Sequence, residues 1–423
     1  MQQSLCSILK PVCLINPEKM KIGILREGKT PPDKRVPLTP EQCLEVLEKF
    51  PHVEIAIQPS PIRSFKDEEY AALNLTLQED LSDCDVLLGV KEVRIQDFLE
   101  DKIYLFFSHT IKKQEYNQKL LQKVLEKKIQ LVDYEVLTNK EGFRIIGFGR
   151  FAGLVGAYNG FRAFGLKNEL FELKPAHQCD DLKEMLQHLS NIVLPPVKIA
   201  VTGDGRVAQG VIEILEHMKV KRFSPKEYLK DEELEEAAYV QLLPQDYVKR
   251  SDGSAFDLLH FFNHPTAYEN AFLPYTKQTD ILMASAYWDP KSPVLFTTED
   301  MLADDFIIGV ISDITCDIEG SIPSTKRAST IADPFYDYNI ETGELEEAFI
   351  NPNNISVQAV DNLPCELPKD ASLDFGRNLI DKVFPSLLGE DTDGIIQRAS
   401  ITKAGQLTKK FAYLQDFADG VTV

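Results

Sequence analysis

A lysine and a histidine stand behind two short apolar runs. Lys91 directly follows VLLGV (86–90), and His109 follows IYLFF (103–107) with Ser108 between. Runs of that length and composition read as strands, and open parallel sheets bind ligands at their C-terminal strand ends. A lysine whose pKa burial depresses, beside a near-neutral histidine, suits general acid–base steps on an amine or imine. Each also has an ordinary reading, as a solvated lysine and a capping or core histidine. Arg35, in DKRVPLT (33–39), could hold a carboxylate bidentately or be an exposed loop arginine. The acidic DITCD (313–317) follows the apolar run FIIGVI (306–311). Its carboxylates could hold an ammonium group or cap the next turn. His52, His177, His188, His217, His260 and His264 read as packing or surface residues, and Trp288 as lining a cleft or packing.

A second constellation concerns phosphate. VKIAVT (197–202) runs into GDGRVAQG (203–210) and then VIEILEHM (211–218), which is strand, glycine turn and helix. The first glycine permits the tight turn, and the second lets backbone approach a pyrophosphate. Ala208 and Gly210 allow close helix–sheet packing, and the helix N-terminus offers its N–H groups. A packing-only turn is the alternative. The acid expected on the ribose 2′-hydroxyl is absent from the stretch taken as the second strand, Val220–Ser224, which is basic and then neutral. That leans toward NADP over NAD.

The elements that must position these residues alternate. KIGIL (21–25), VEIAI (53–57), VLLGV, IYLFF and IQLVD (129–133) are strand candidates. TPEQ (39–42) is a helix start with Thr as N-cap and Pro in the first turn. Residues 114–127 form a helix with Leu120, Leu121, Val124 and Leu125 on one face. Alternating strands and helices imply a parallel sheet in an α/β domain. GRFAGLVGAYNGFRAFG (149–165) is helical and could connect two domains. VKIAVT, DILMA (280–284) and FIIGVI supply further strands, whereas 224–256 is charged and poorly periodic, an insertion between core elements.

Composition bounds the rest. The 423 residues carry 46 Lys and Arg against 66 Asp and Glu, a net charge of −20, which argues against a nucleic-acid surface. No apolar run is long enough to span a membrane. The start, upstream of Met20, lacks a basic region and reads as an extension or mis-called start instead of a secretion signal. Seven cysteines without a CxxC fit reduced thiols in a cytoplasmic enzyme. The histidines show no metal-ligand spacing, so no metal is expected.

Together these segments resemble a known family. DKRVPLTP (33–40), LLGVKE (87–92), FFSHTIKKQEYN (106–117), LVDYE (131–135), GFGRFAG (147–153), VTGDGRVAQG (201–210), AYWDPKSPVLFT (286–297), SDITCDIEGSI (312–322), STIADPFYDYN (329–339) and VDNLPCELPKDAS (360–372) occur in order. They are similar to the lysine–2-oxoglutarate reductase branch of the superfamily of alanine dehydrogenase and lysine-forming saccharopine dehydrogenase. The resemblance implies a two-domain α/β fold. A Rossmann dinucleotide-binding domain (151–364) would accompany a discontinuous Rossmann-like substrate domain (20–150 and 365–423). It implies Lys91 and His109 as the acid–base pair, and Arg35 and Arg144 as carboxylate ligands. Glu92 and Glu135 would tune the pair and pocket, with Asp317 beside the nicotinamide and substrate amine. Gly203, Gly205, Arg206, Asp361, Asn362 and Leu363 would contact NAD or NADP. Arg206 replaces the smaller polar residue the family pattern leads one to expect. The substrates implied are an amino acid and a 2-oxo acid, and the resemblance also allows a homo-oligomer. The alternatives are alanine dehydrogenase, acting on pyruvate and ammonia, and a non-catalytic nicotinamide-binding module.

Overall fold

The computed structural model describes residues 19–230 and 234–421; the extension upstream of residue 19, with Cys6 and Cys13, lies outside them. Two compact units divide the chain: the first runs to Ile146 and resumes at Phe375, and the second is Gly147–Asp374.

The first unit contains β1 (Met20–Ile24), α1 (Pro40–Lys49), β2 (Val53–Ile57), α2 (Asp67–Ala72), β3 (Thr76–Leu77), β4 (Val86–Leu88), β5 (Ile103–Phe106), α3 (Gln118–Glu126) and β6 (Gln130–Asp133). Its sheet is parallel throughout, in the order β3-β2-β1-β4-β5-β6. The order reverses between β1 and β4, which makes the crevice beyond their C-terminal ends the expected ligand site of such a sheet. α1 starts as its sequence dictates. Thr39 Oγ1 accepts from Gln42 N at 3.3 Å and Gln42 Oε1 accepts from Thr39 N at 3.0 Å, the reciprocal pair of a capping box. α3 buries Leu120, Leu121 and Val124 against Tyr104, Phe106 and Leu131 of the sheet. Phe411, Leu414 and Phe417 from the end of the chain complete that core.

The second unit contains α4 (Gly149–Lys167), α5 (Leu182–Ser190), β7 (Lys198–Thr202), α6 (Arg206–His217), β8 (Lys221–Phe223), β9 (Ala238–Leu242), β10 (Val248–Arg250), β11 (Tyr268–Asn270), β12 (Ile281–Ala284), β13 (Val310–Asp313), β14 (Phe335–Tyr338), β15 (Leu345–Glu346) and β16 (Ile355–Gln358). Its main sheet runs β15-β14-β16-β13-β12-β7-β9-β8. β8, β9, β7, β12, β13 and β16 pair in parallel, and β14 and β15 close one edge antiparallel.

Five expectations are corrected here. Residues 224–256 are no mere insertion, because they hold β9, whose Ala238, Tyr239, Val240 and Leu242 are buried in the sheet. The strand beside β7 is therefore β9, and the basic stretch 220–224 forms the edge strand β8. FIIGVI enters the ladder only at Val310, since the N–H groups of Ile307 and Gly309 bond to Thr276 and Asp280 outside it. The helix expected to connect two domains is α4, and it lies within the second unit, buried on every side. Gly153 lets it touch α6: a methyl on Gly153 would overlap the Val207 carbonyl, and one on Gly210 the Arg150 carbonyl. Gly210 thus serves helix–helix packing, not helix–sheet packing. Among the described residues no helix is long and apolar enough to cross a membrane.

Candidate active site

β4 ends at Leu88 and β5 at Phe106, so Lys91 and His109 rise from adjacent strand ends beside the switch point of the sheet. Lys91 is half-buried, and its ammonium makes no hydrogen bond or ion pair to protein among the described residues. Burial lowers its pKa most, and the charges of Arg35 and Lys29 lower it further against the opposing pull of Asp33 and Glu92. An amine so placed gives up its proton more readily than an ordinary lysine.

His109 occupies the left-handed region at φ 53°, which a non-glycine residue adopts only when its surroundings hold it. Its Nδ1 lies 2.6 Å from Glu92 Oε1, and Glu92 Oε2 accepts from Lys29 Nζ at 2.9 Å. Burial works against the ionised Glu92, yet the bonds from His109 and Lys29 outweigh it and bring the carboxyl down to about 2. An ionised Glu92 requires the proton on Nδ1, which leaves Nε2 to exchange a proton with a substrate. The ring stacks on Phe107, and the Arg144 guanidinium sits 5.3 Å from the other partner in this stack, the Phe107 centroid.

The two arginines differ sharply. Arg35 is 2% exposed, not an exposed loop residue. Its Nε donates to Asp33 Oδ1 at 3.0 Å and its Nη2 to Oδ2 at 2.6 Å. Burial alone would raise Asp33, but the Arg35 charge and these bonds hold it well below the usual carboxylate range. The guanidinium edge sought for a substrate carboxylate is thus taken by Asp33. Arg144 is exposed; its Nε donates to the Ile146 carbonyl at 3.0 Å, and its Nη groups make no hydrogen bond to protein among the described residues. Glu135 stands nearby, paired with Lys112 at 3.5 Å through Oε1, while its buried Oε2 has no partner. A cavity of about 230 Å³ borders Glu27, Lys91 and Glu92 but not His109, Arg35 or Arg144.

Two carboxylates at this sheet end were missed in the sequence. Glu27 accepts from the N–H of Val90 at 2.6 Å and of Lys91 at 2.9 Å. Asp133, fully buried, accepts from Ser108 N at 3.1 Å and from Ser108 Oγ. The aspartate ending an otherwise apolar strand run was the one available signal; Glu27 offered none.

In the second unit the glycine turn has the geometry a dinucleotide needs. Gly203 sits at φ 91°, and α6 begins at Arg206 behind a Gly205 that supplies no side-chain cap and borders open space. A glycine turn opening a helix in this way is the arrangement in which helix N-termini receive anions. Gln241, at the end of β9, donates to the Gly203 carbonyl at 2.9 Å and accepts from Arg222 of β8 at 2.7 Å. The carboxylate at this strand end, Asp246, is taken up in capping the turn, where its Oδ2 accepts from Leu243 N at 2.8 Å. Arg206 is exposed as the first residue of α6. Asp313 is a turn cap: it accepts from Thr315, Cys316 and Thr325. Asp317 and Asp361 come together around Cys316, whose thiol is pushed up to about 12 by burial and then by Asp361, Asp313 and Asp317. Asn362 is partly buried, but the Leu363 side chain is 2% exposed in the apolar core, leaving only its main chain to meet a ligand. Cys179, Glu184 and His188 bring ligand atoms within 4.8 Å of one another, a grouping unseen in the sequence. Lys174 already neutralises its carboxylate at 2.6 Å.

Residues 23–155 match the family described as alanine dehydrogenase/PNT, N-terminal domain. Alpha-aminoadipic semialdehyde synthase of Arabidopsis thaliana is 29% identical, over 93% of this chain and 41% of its own length. The mitochondrial protein of that name from Mus musculus is 29% identical over 94% and 48%. The chain thus spans about half the length of these relatives. Saccharopine dehydrogenase [NAD(+), L-lysine-forming] of Emericella nidulans is 25% identical over 86% of this chain and 90% of its own. An L-alanine dehydrogenase structure superimposes with TM-score 0.60 at 13% identity, covering 95% of this chain and all of that one. A transhydrogenase from Sinorhizobium meliloti does so with TM-score 0.55 at 13% identity, covering 92% and 98%. At such identity these two likenesses speak for the fold. Residues 23–155 are thus similar to an alanine dehydrogenase/PNT N-terminal domain, and most of the chain is similar in sequence to saccharopine dehydrogenases and aminoadipic semialdehyde synthases.

Proposed function

We propose that the chain is an oxidoreductase that joins the ε-amine of lysine to the keto carbon of 2-oxoglutarate, or reverses that reaction. The observation that carries this reading is the pairing of a pKa-lowered Lys91 with a His109 oriented by ionised Glu92. The substrate class is supported by relatives named for saccharopine and aminoadipic semialdehyde, similar along most of the chain.

In the condensing direction the neutral ε-amine attacks the keto carbon, and the nitrogen sheds a proton to give a carbinolamine. Lys91 and His109 move the protons: the one taken from the attacking nitrogen is passed to the keto oxygen to make the carbinolamine hydroxyl, and a second is delivered to that hydroxyl, which leaves as water. The glycine turn at Gly203 and Gly205 would hold the pyrophosphate of a nicotinamide dinucleotide, which would supply the hydride for reduction of the iminium. Arg144 offers its Nη edge to a substrate carboxylate, with Phe107 fixing the guanidinium plane. Asp317 and Asp361 place negative charge on the second unit that would attract an ammonium group. The nucleotide is proposed to be NADP(H): Arg222 stands one side chain from the Gly203 carbonyl, where a 2′-phosphate would need a cation.

The second reading, pyruvate plus ammonia, is favoured by the likeness to alanine dehydrogenase. Purified protein should be given NADPH or NADH with lysine and 2-oxoglutarate, and separately with ammonia and pyruvate. Turnover with the first pair is expected. Turnover with the second pair alone overturns the proposal. Nucleotide binding without turnover on either pair would favour a non-catalytic binding module.

A further inference from the structure

We propose that Glu27 and Asp133 are positioning residues, each fixing, from the neighbouring strand, the loop that carries one member of the Lys91–His109 pair. β1 flanks β4 and β6 flanks β5. Glu27 lies just past β1 and Asp133 ends β6, so each carboxylate faces a chain leaving the sheet next door.

The bonding is specific to the two loops. Beyond Leu88 the N–H groups of Val90 and Lys91 have no strand to bond, and Glu27 takes one on each oxygen, at 2.6 Å and 2.9 Å. The Val90 carbonyl accepts from Phe107 N at 3.0 Å. The peptide leading into Lys91 is therefore held on both sides. Asp133 Oδ2 takes the N–H and hydroxyl of Ser108, and that hydroxyl also lies 2.8 Å from Thr110 Oγ1. Both neighbours of His109 are tied down, which is what a left-handed histidine requires. Glu27 takes one N–H on each oxygen, and Asp133 also binds Glu135 N through Oδ1 at 2.7 Å, so both carboxylates are committed to holding backbone. Burying a carboxylate is unfavourable. Glu27 is pushed up to about 7 by burial and then by Asp33, and Asp133 is raised by burial. Neither is an economical way merely to fill space.

The roles given to Lys91 and His109 rest on the proposed reaction, but the test does not need turnover. Lys91 is labelled with acetic anhydride and His109 with diethyl pyrocarbonate. Site-specific rates are then read by peptide mass spectrometry in wild type, Glu27→Gln and Asp133→Asn. Both substitutions keep shape, and melting curves verify folding. Glu27→Gln is expected to change the Lys91 rate by about three-fold or more, as half a pKa unit would, and to leave His109 alone. Asp133→Asn should do the reverse. Ser108→Ala, which keeps both carboxylates, should give a smaller change at His109 only, and it substitutes for Asp133→Asn should that variant not fold. Unchanged rates, or equal changes at both sites, would overturn the proposal. In turnover assays kcat should fall by about ten- to a hundred-fold with KM nearly constant, the signature of a misplaced reacting group. A wild type without turnover would sink the reaction and still leave the labelling to decide the positioning.

Discussion

Glu92 Oε1 lies 2.6 Å from His109 Nδ1, and the same carboxylate takes the Lys29 ammonium on its other oxygen. One side chain, adjacent in sequence to Lys91, therefore sets the tautomer of the histidine on the next strand. The arrangement couples the site to folding stability. Glu92 has a folded pKa of about 2 against the usual 4.5, so its contribution is present above 4.5 and lost as pH falls toward 2. The shift corresponds to about 3 kcal/mol. Urea unfolding of wild type and Glu92→Gln should differ by that order at neutral pH, with the gap closing midway between those two values. A gap independent of pH would remove the ionised Glu92 from the account.

Lys91→Met and His109→Gln are each expected to lower turnover by about 10²- to 10⁴-fold, the range for removal of an acid–base group. Nucleotide affinity, set in the other unit, should stay at the wild-type value by titration calorimetry. Near-normal turnover in either variant would contradict the pairing.

The two arginines should separate by experiment. Arg35→Ala leaves Asp33 buried without its partner and should cost about 3–5 kcal/mol of stability; Arg35→Lys should restore little, because an ammonium cannot meet both oxygens. Exposed Arg144→Ala should change stability by about 0.5 kcal/mol or less. It should instead raise KM for 2-oxoglutarate by about ten-fold or more, the worth of a charge-assisted hydrogen bond. Denaturation curves and initial rates distinguish the two.

Arg222→Ala should weaken NADPH binding by about ten-fold, as expected on losing a charged hydrogen bond to phosphate, and leave NADH nearly unaffected. Equal loss for both nucleotides, read by calorimetry, would place Arg222 in support of Gln241 and the glycine turn alone.

The parts of this architecture legible in the sequence were those encoded locally. The apolar runs 86–90 and 103–107 showed where Lys91 and His109 emerge, although the strands themselves end earlier, at Leu88 and Phe106, and Thr39 with Gln42 marked the start of α1. The glycine turn between β7 and α6 was visible because strand, turn and helix are contiguous. Whatever depends on partners far along the chain was not legible. β9 hid among charged neighbours, since Ala238, Tyr239, Val240 and Leu242 become core only by pairing within the sheet. Arg35 looked solvent-bound because its burial is decided by the fold around the Asp33 turn. Glu27 reaches Lys91 across 64 positions of sequence, and no spacing rule reports such a contact.

The most direct measurement is to incubate the protein with NADPH, 2-oxoglutarate and lysine carrying heavy nitrogen at the ε position, and to weigh the product by mass spectrometry. The account predicts a secondary amine joining both carbon skeletons, with the heavy nitrogen retained. Nucleotide oxidation that yields an amino acid from free ammonia, with lysine left untouched, would contradict it.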